Sequence, residues 1–150
     1  CTLINLIGRV FMEPANCPFD AIERELDSRT GDSPFIFVDV HAEATSEKIA
    51  MGYLLDGKVS LVFGTHTHVQ TADEQILENG TAYISDLGMV GPKNSVIGMD
   101  IRKVIERFVT NMPVKFDVAK AGQVLVEGIV VCIEKETGKA ISIKRIRELI

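Results

Sequence analysis

The stretch Leu61-Val62-Phe63-Gly64-Thr65-His66-Thr67-His68-Val69-Gln70 is an apolar strand that runs into two histidines one residue apart. In extended backbone, residues i and i+2 point to the same side, so the imidazoles of His66 and His68 are expected to face one common point. Imidazole is the commonest metal-binding side chain, and this spacing is one way a chain aims two ligands. The third and last histidine, His41, ends a similar run, Phe35-Ile36-Phe37-Val38-Asp39-Val40-His41. Between the two lies a helical stretch from Thr45 or Ser46 to Leu55, stopped by Gly57, with Ile49, Ala50, Tyr53 and Leu54 as its expected buried stripe. Strand, helix and strand in this order make a βαβ unit. The strands at 35–40 and 59–64 are therefore expected to be parallel, bringing all three histidines to one rim.

The segments around this unit extend the same α/β reading. Thr2 to Phe11 opens as a strand, and Phe19, Ile22 and Leu26 form the apolar stripe of a short helix that Gly31 should end. Asn79-Gly80 is a strong turn dipeptide before the short strand Thr81–Ser85. That strand delivers Asp86 and a glycine-spaced loop, in which Gly88 and Gly91 permit close backbone approach to a ligand. Lys93, Asn94 and Ser95 offer donors to a phosphate, although a plain turn at Pro92 reads equally well. Asp100 caps a helix with the stripe Val104, Ile105, Phe108 and Val109. The remainder reads as β at Val114–Val118, Gln123–Ile133 and Ala140–Ile146, with a turn at Thr137-Gly138 and a bulge at Gly128. Asp39 shares a face with His41, where it either bonds a neighbouring loop or fixes the tautomer of a liganding histidine.

Bulk composition narrows the function classes. A chain of 150 residues with 46% hydrophobic content can bury one real core, so a single domain is expected over 1–150. A formal charge of -5 without a cationic run argues against coating nucleic acid. No apolar run is long enough to span a bilayer, which argues against a membrane partner. Three scattered cysteines suggest neither a disulfide framework nor a thiolate zinc site, so a cytoplasmic location is expected.

Four stretches together carry a resemblance: Val38 to Lys48, Gly64 to Glu74, Asp86 to Pro92, and Ser95-Val96-Ile97-Gly98-Met99. In order and content they are similar to the calcineurin-like metallophosphoesterases, in the bacterial subgroup associated with 2′,3′-cyclic nucleotide phosphodiesterase activity. The resemblance implies part of an αββα sandwich of two sheets, with two metal ions (iron or manganese, replaceable by zinc or magnesium) at the strand ends. His41 and His66 would bind one ion and His68 the other. On the residue reading, Gly88, Gly91 and Ser95 are expected to lie toward a small phosphodiester substrate, Asp39 and Asp86 to support the ligands, and hydroxide held by the metals to attack phosphorus. A homo-oligomer is compatible with this reading.

The family's opening liganding Asp, its Glu-Asn pair with the metal-bridging Glu, and its Asn-His pair with the catalytic His have no counterpart here. The chain thus resembles a C-terminal half, and the catalytic His and bridging carboxylate are expected upstream of residue 1. Local carboxylates at Asp39, Glu43, Asp73, Glu74 and Asp86 do not occupy the family's bridging position. The alternative expectation is a catalytically incomplete, histidine-based metal-binding or assembly module.

Overall fold

A computed structural model describes residues 1–30, 33–120 and 122–150. The expected stop at Gly31 lies outside the described residues. Strands β1 (Thr2–Ile7), β2 (Ile36–His41), β3 (Leu61–Thr65), β4 (Gln75–Ile76) and β5 (Ala82–Ile84) form one sheet in the order β1-β2-β3-β5-β4. All its pairings are parallel except β4 with β5. The expected βαβ unit is present, with His41 opposite Thr65 at the carboxyl ends of β2 and β3. Strands β6 (Val90–Pro92), β7 (Val124–Ile133) and β8 (Ala140–Leu149) make an antiparallel second sheet, and β8 packs on β4 and β5. A mixed α/β architecture of two sheets with a mostly β C-terminal part is what the sequence led us to expect.

Helix α1 (Pro18–Ser28) buries Ile22, with Phe19 and Leu26 packed against the same core. Within β2, Ile36, Val38 and Val40 are buried while Phe37, Asp39 and His41 remain half-open. A run as apolar as this one reads in sequence as a strand covered on both faces, but only one face is. The second sheet lies over β4 and β5, so the face of β1 and β2 bearing Leu3, Asn5, Ile7, Asp39 and His41 is left accessible.

Helix α2 (Thr45–Leu55) occupies the expected segment with the opposite face inward. Of the expected stripe Leu54 packs against the core, but Ile49, Ala50 and Tyr53 are exposed, and the buried residues are Glu47, Lys48, Met51, Gly52 and Leu55. Two charged groups can face the core because each meets a partner there. The Glu47 carboxylate accepts the N–H groups of Arg9 and Val10, and the Lys48 ammonium meets Asp86. The N-cap is Ala44 without a side-chain bond, not Thr45 or Ser46.

Helix α3 (Ile101–Thr110) is capped as expected by Asp100, which accepts from the N–H groups of Arg102 and Lys103. Of its stripe only Val104 is buried, while Ile105, Phe108 and Val109 are exposed. Val114–Val118 forms no strand, only a single bridge from Val118 to Met99. The irregularity in the β7/β8 ladder falls at Cys132/Ile133, and Gly128 pairs normally with Ile146.

Candidate metal centre

Register brings the site together. Because β2 and β3 run parallel with His41 opposite Thr65, the residue after Thr65 turns its ring onto His41. His66 Nδ1 lies 3.1 Å from His41 Nε2, with the rings edge to face at 82°. On its far side, His66 Nε2 is 2.9 Å from the half-exposed Glu43 carboxylate.

Hydrogen-bond polarity identifies the free lone pairs. The Thr65 hydroxyl donates to Asp39 Oδ1 at 2.8 Å, so it accepts from His41 Nδ1 at 3.0 Å. Asp39 Oδ2 is in turn held by the Asn5 amide at 2.7 Å. His41 thus carries its hydrogen on Nδ1, and His66 presents an N–H at Nε2 to Glu43. His41 Nε2 therefore offers only a lone pair at this contact, and His66 Nδ1 offers either a second lone pair or an N–H, so the pair can share a proton or hold a cation between them. Their 3.1 Å separation is also close to the roughly 3 Å between adjacent ligand atoms when metal–nitrogen bonds are about 2.1 Å. The donor chemistry of this pair fits a cation.

His68 is placed differently from expectation. Strand β3 ends at Thr65, and His66 and His68 sit in a bend with φ of 120° and 63°, so strand alternation does not govern them. His68 Nδ1 donates to the Ile97 carbonyl at 3.0 Å, which leaves its Nε2 as the lone-pair nitrogen. His68 lines a cleft of about 330 Å³ together with Met89, Ser95, Glu127 and Arg147. Among the described residues, no group of three or more His, Cys, Asp or Glu side chains is arranged to hold a metal ion.

Asp86 is almost wholly buried and lies behind this bend. It accepts from Lys48 Nζ at 2.9 Å, from the Thr67 N–H at 3.0 Å and from the Gly88 N–H at 3.0 Å. Burial pushes its carboxyl up, but those three donors outweigh burial and hold it below the usual carboxylate range. Asp39 also supports a histidine, at one remove, through Thr65.

The glycine loop is not the open cradle its sequence suggested. The Gly88 N–H is used by Asp86, and a Cβ on Gly88, whose φ is +85°, would lie 2.2 Å from Glu127 Oε2. Gly91 pairs with Leu125 inside the β6/β7 ladder. The Ser95 hydroxyl donates to the Pro92 carbonyl and accepts the Gly98 N–H, yet Ser95 shares the cleft with His68. The other local carboxylates are engaged away from the His41/His66 gap: Asp73 with the Ser85 N–H and Glu74 with Arg145.

In the sequence Glu43 reads only as a carboxylate outside the bridging position, and Glu47, Lys48 and Thr65 do not stand out as functional groups. Of the last three, only Thr65 left a trace, as a hydroxyl in register with His41.

Comparison with known proteins places the chain among relatives. The chain is 50% identical over 144 residues to the 2′,3′-cyclic-nucleotide 2′-phosphodiesterase of Bacillus subtilis, an alignment covering 96% of the chain and 54% of that protein. A crystal structure of a hypothetical protein from Thermus thermophilus superposes with a TM-score of 0.91 at 37% identity, covering 98% of this chain and 56% of that one. A phosphatase structure from Mycoplasma pneumoniae gives a TM-score of 0.89 at 37% identity, covering 98% and 53%. The chain spans about half the length of the relatives it matches. Residues 1–146 match the family described as YmdB-like protein, and the chain belongs to that family.

Proposed function

We propose that this chain is the histidine-bearing half of a dinuclear metal-dependent phosphodiesterase that hydrolyses small phosphodiesters such as 2′,3′-cyclic nucleotides. The observation that carries the reading is the 3.1 Å approach of His41 Nε2 to His66 Nδ1 at the carboxyl rim of a parallel sheet. These two would hold one ion, and His68 would hold the second through Nε2. When bound, iron or manganese ions supply a water-derived nucleophile at neutral pH and charge stabilisation at phosphorus.

This chain's own residues orient and shield. Asn5, Asp39 and Thr65 set the His41 ring, Glu43 steadies His66, and the Ile97 carbonyl fixes His68. The cleft beside His68, with Ser95 and Arg147 at its wall, is where the organic part of the substrate would rest. Three neutral imidazoles cannot balance two dications, so the bridging carboxylate and catalytic His are assigned to the part of the relatives this chain does not span.

The test is hydrolysis of 2′,3′-cyclic AMP by the intact protein with Mn²⁺, against His66→Ala. The reading requires turnover in the wild type and a loss of about a hundredfold or more on removing one ligand. Unchanged turnover in His66→Ala would end it.

A further inference from the structure

Thr67 is flanked by two non-glycine residues with positive φ, His66 at 120° and His68 at 63°. Backbone of this kind persists only where the surroundings over-determine it. Here the surroundings are a buried ion pair that the proposed chemistry does not use. The side chains of Lys48 and Asp86 are 2% and 1% exposed, with Nζ and Oδ2 2.9 Å apart. The same Oδ2 accepts the Thr67 N–H at 3.0 Å. Gly64 seals the arrangement from the strand side: a Cβ there would lie 1.8 Å from the Ser85 carbonyl oxygen and 2.7 Å from Lys48 Cδ. Strand β3 therefore rests directly on the lysine stem and on the residue preceding Asp86.

We propose that Lys48 and Asp86 are positioning residues for the metal site: the ammonium fixes the carboxylate, and the carboxylate pins the Thr67 N–H so that His66 and His68 hold their bent, ligand-ready orientation. The inference rests on the metal reading above for its purpose, and on geometry alone for the clamp. Energetics favour a role beyond stability. A buried ion pair can often be replaced by apolar side chains of similar volume at no cost to stability, whereas removing one partner strands a charge.

That asymmetry provides the test. In the intact protein, Lys48→Met alone should lower the melting temperature, and the double variant Lys48→Met/Asp86→Leu should recover the part owed to the stranded charge, less what the Thr67 and Gly88 N–H groups lose with their acceptor. Mn²⁺ affinity measured by calorimetry should nevertheless stay about 10- to 100-fold weaker in the double variant, the usual effect of losing a group that orients ligands. Hydrogen exchange at the Thr67 amide should accelerate in parallel. Wild-type Mn²⁺ affinity in the stable double variant, or unchanged Thr67 exchange, overturns the proposal and leaves the pair as packing.

Should the double variant not fold, Asp86→Asn decides. Weaker Mn²⁺ binding with faster Thr67 exchange supports the clamp, and no change in either overturns it. Failure of the wild type to bind Mn²⁺ removes the metal reading, while Thr67 exchange in the variants still decides the clamp.

Discussion

His41 Nε2 and His66 Nδ1 face each other at 3.1 Å although 25 residues separate them in sequence. Parallel pairing of β2 with β3 sets this distance, and the Thr65 hydroxyl, in register with His41, sets which nitrogen carries the hydrogen. Removing that hydroxyl should disturb the tautomer without emptying the core. Thr65→Val in the intact protein is expected to weaken Mn²⁺ binding by about 10- to 100-fold. Thr65→Ser, which keeps the donor and acceptor, should bind as the wild type does. Calorimetry on the two variants makes the comparison, and nitrogen NMR of His41 reports the tautomer directly.

The amino end of α2 holds the carboxyl end of β1 through Glu47, whose carboxylate accepts from Arg9 and Val10. Glu47→Ala would leave two N–H groups without this partner in a partly buried place. A loss of about 1–3 kcal/mol is expected from urea unfolding, the cost of unsatisfied donors. A change within a few tenths of a kcal/mol would show that water replaces the carboxylate there.

Acid should unfold the protein through Asp86 and Asp73. Burial raises Asp73 too, but the Thr71 and Ser85 hydroxyls and the Ser85 N–H bring it below its usual range. Both carboxyls titrate lower in the folded state than the roughly 3.9 of an unfolded aspartate, so the unfolded chain takes up protons first as pH falls. Their stabilisation is complete above that unfolded value and is lost as pH drops through the folded values. Urea midpoints should be flat from about pH 7 to 5 as far as these groups contribute, then decline below about pH 4. Asp86→Asn should remove part of that decline while costing about 3–5 kcal/mol at neutral pH, because Lys48 is left buried without its charge partner.

Close packing makes Gly64 irreplaceable by even one methyl. With the Ser85 carbonyl oxygen 1.8 Å from the Cβ position, Gly64→Ala must push β3 away from β5. An overpacking loss of about 1–3 kcal/mol in unfolding free energy is expected, along with weaker Mn²⁺ binding as the His66 bend shifts. A variant as stable as the wild type would show that the strands slide without cost.

The apolar runs at 35–40 and 61–64 carried enough information to place two parallel strands and the His41/His66 meeting, because strand pattern and βαβ topology are local properties of the sequence. What escaped depended on partners distant in the chain. Helix α2 turned Glu47 and Lys48 inward only because Arg9, Val10 and Asp86 wait there, and no periodicity reveals that. His66 and His68 were expected to continue β3, yet hydrogen bonds from the Thr67 N–H to Asp86 and from His68 to the Ile97 carbonyl define a bend instead. Gly88 signalled a close approach, and the group that makes it in this structure is Glu127. The stripe of α3 has helical spacing, yet Phe108 and Val109 are 79% exposed, since amphipathic spacing shows which face is apolar and not what lies against it.

Anomalous diffraction from Mn²⁺-loaded crystals of the intact protein tests the central claim most directly. The account predicts one manganese peak within about 2.3 Å of both His41 Nε2 and His66 Nδ1, a little beyond zinc–imidazole bond lengths. Manganese bound elsewhere, with the two rings still bonded only to each other and to their present partners, would contradict it.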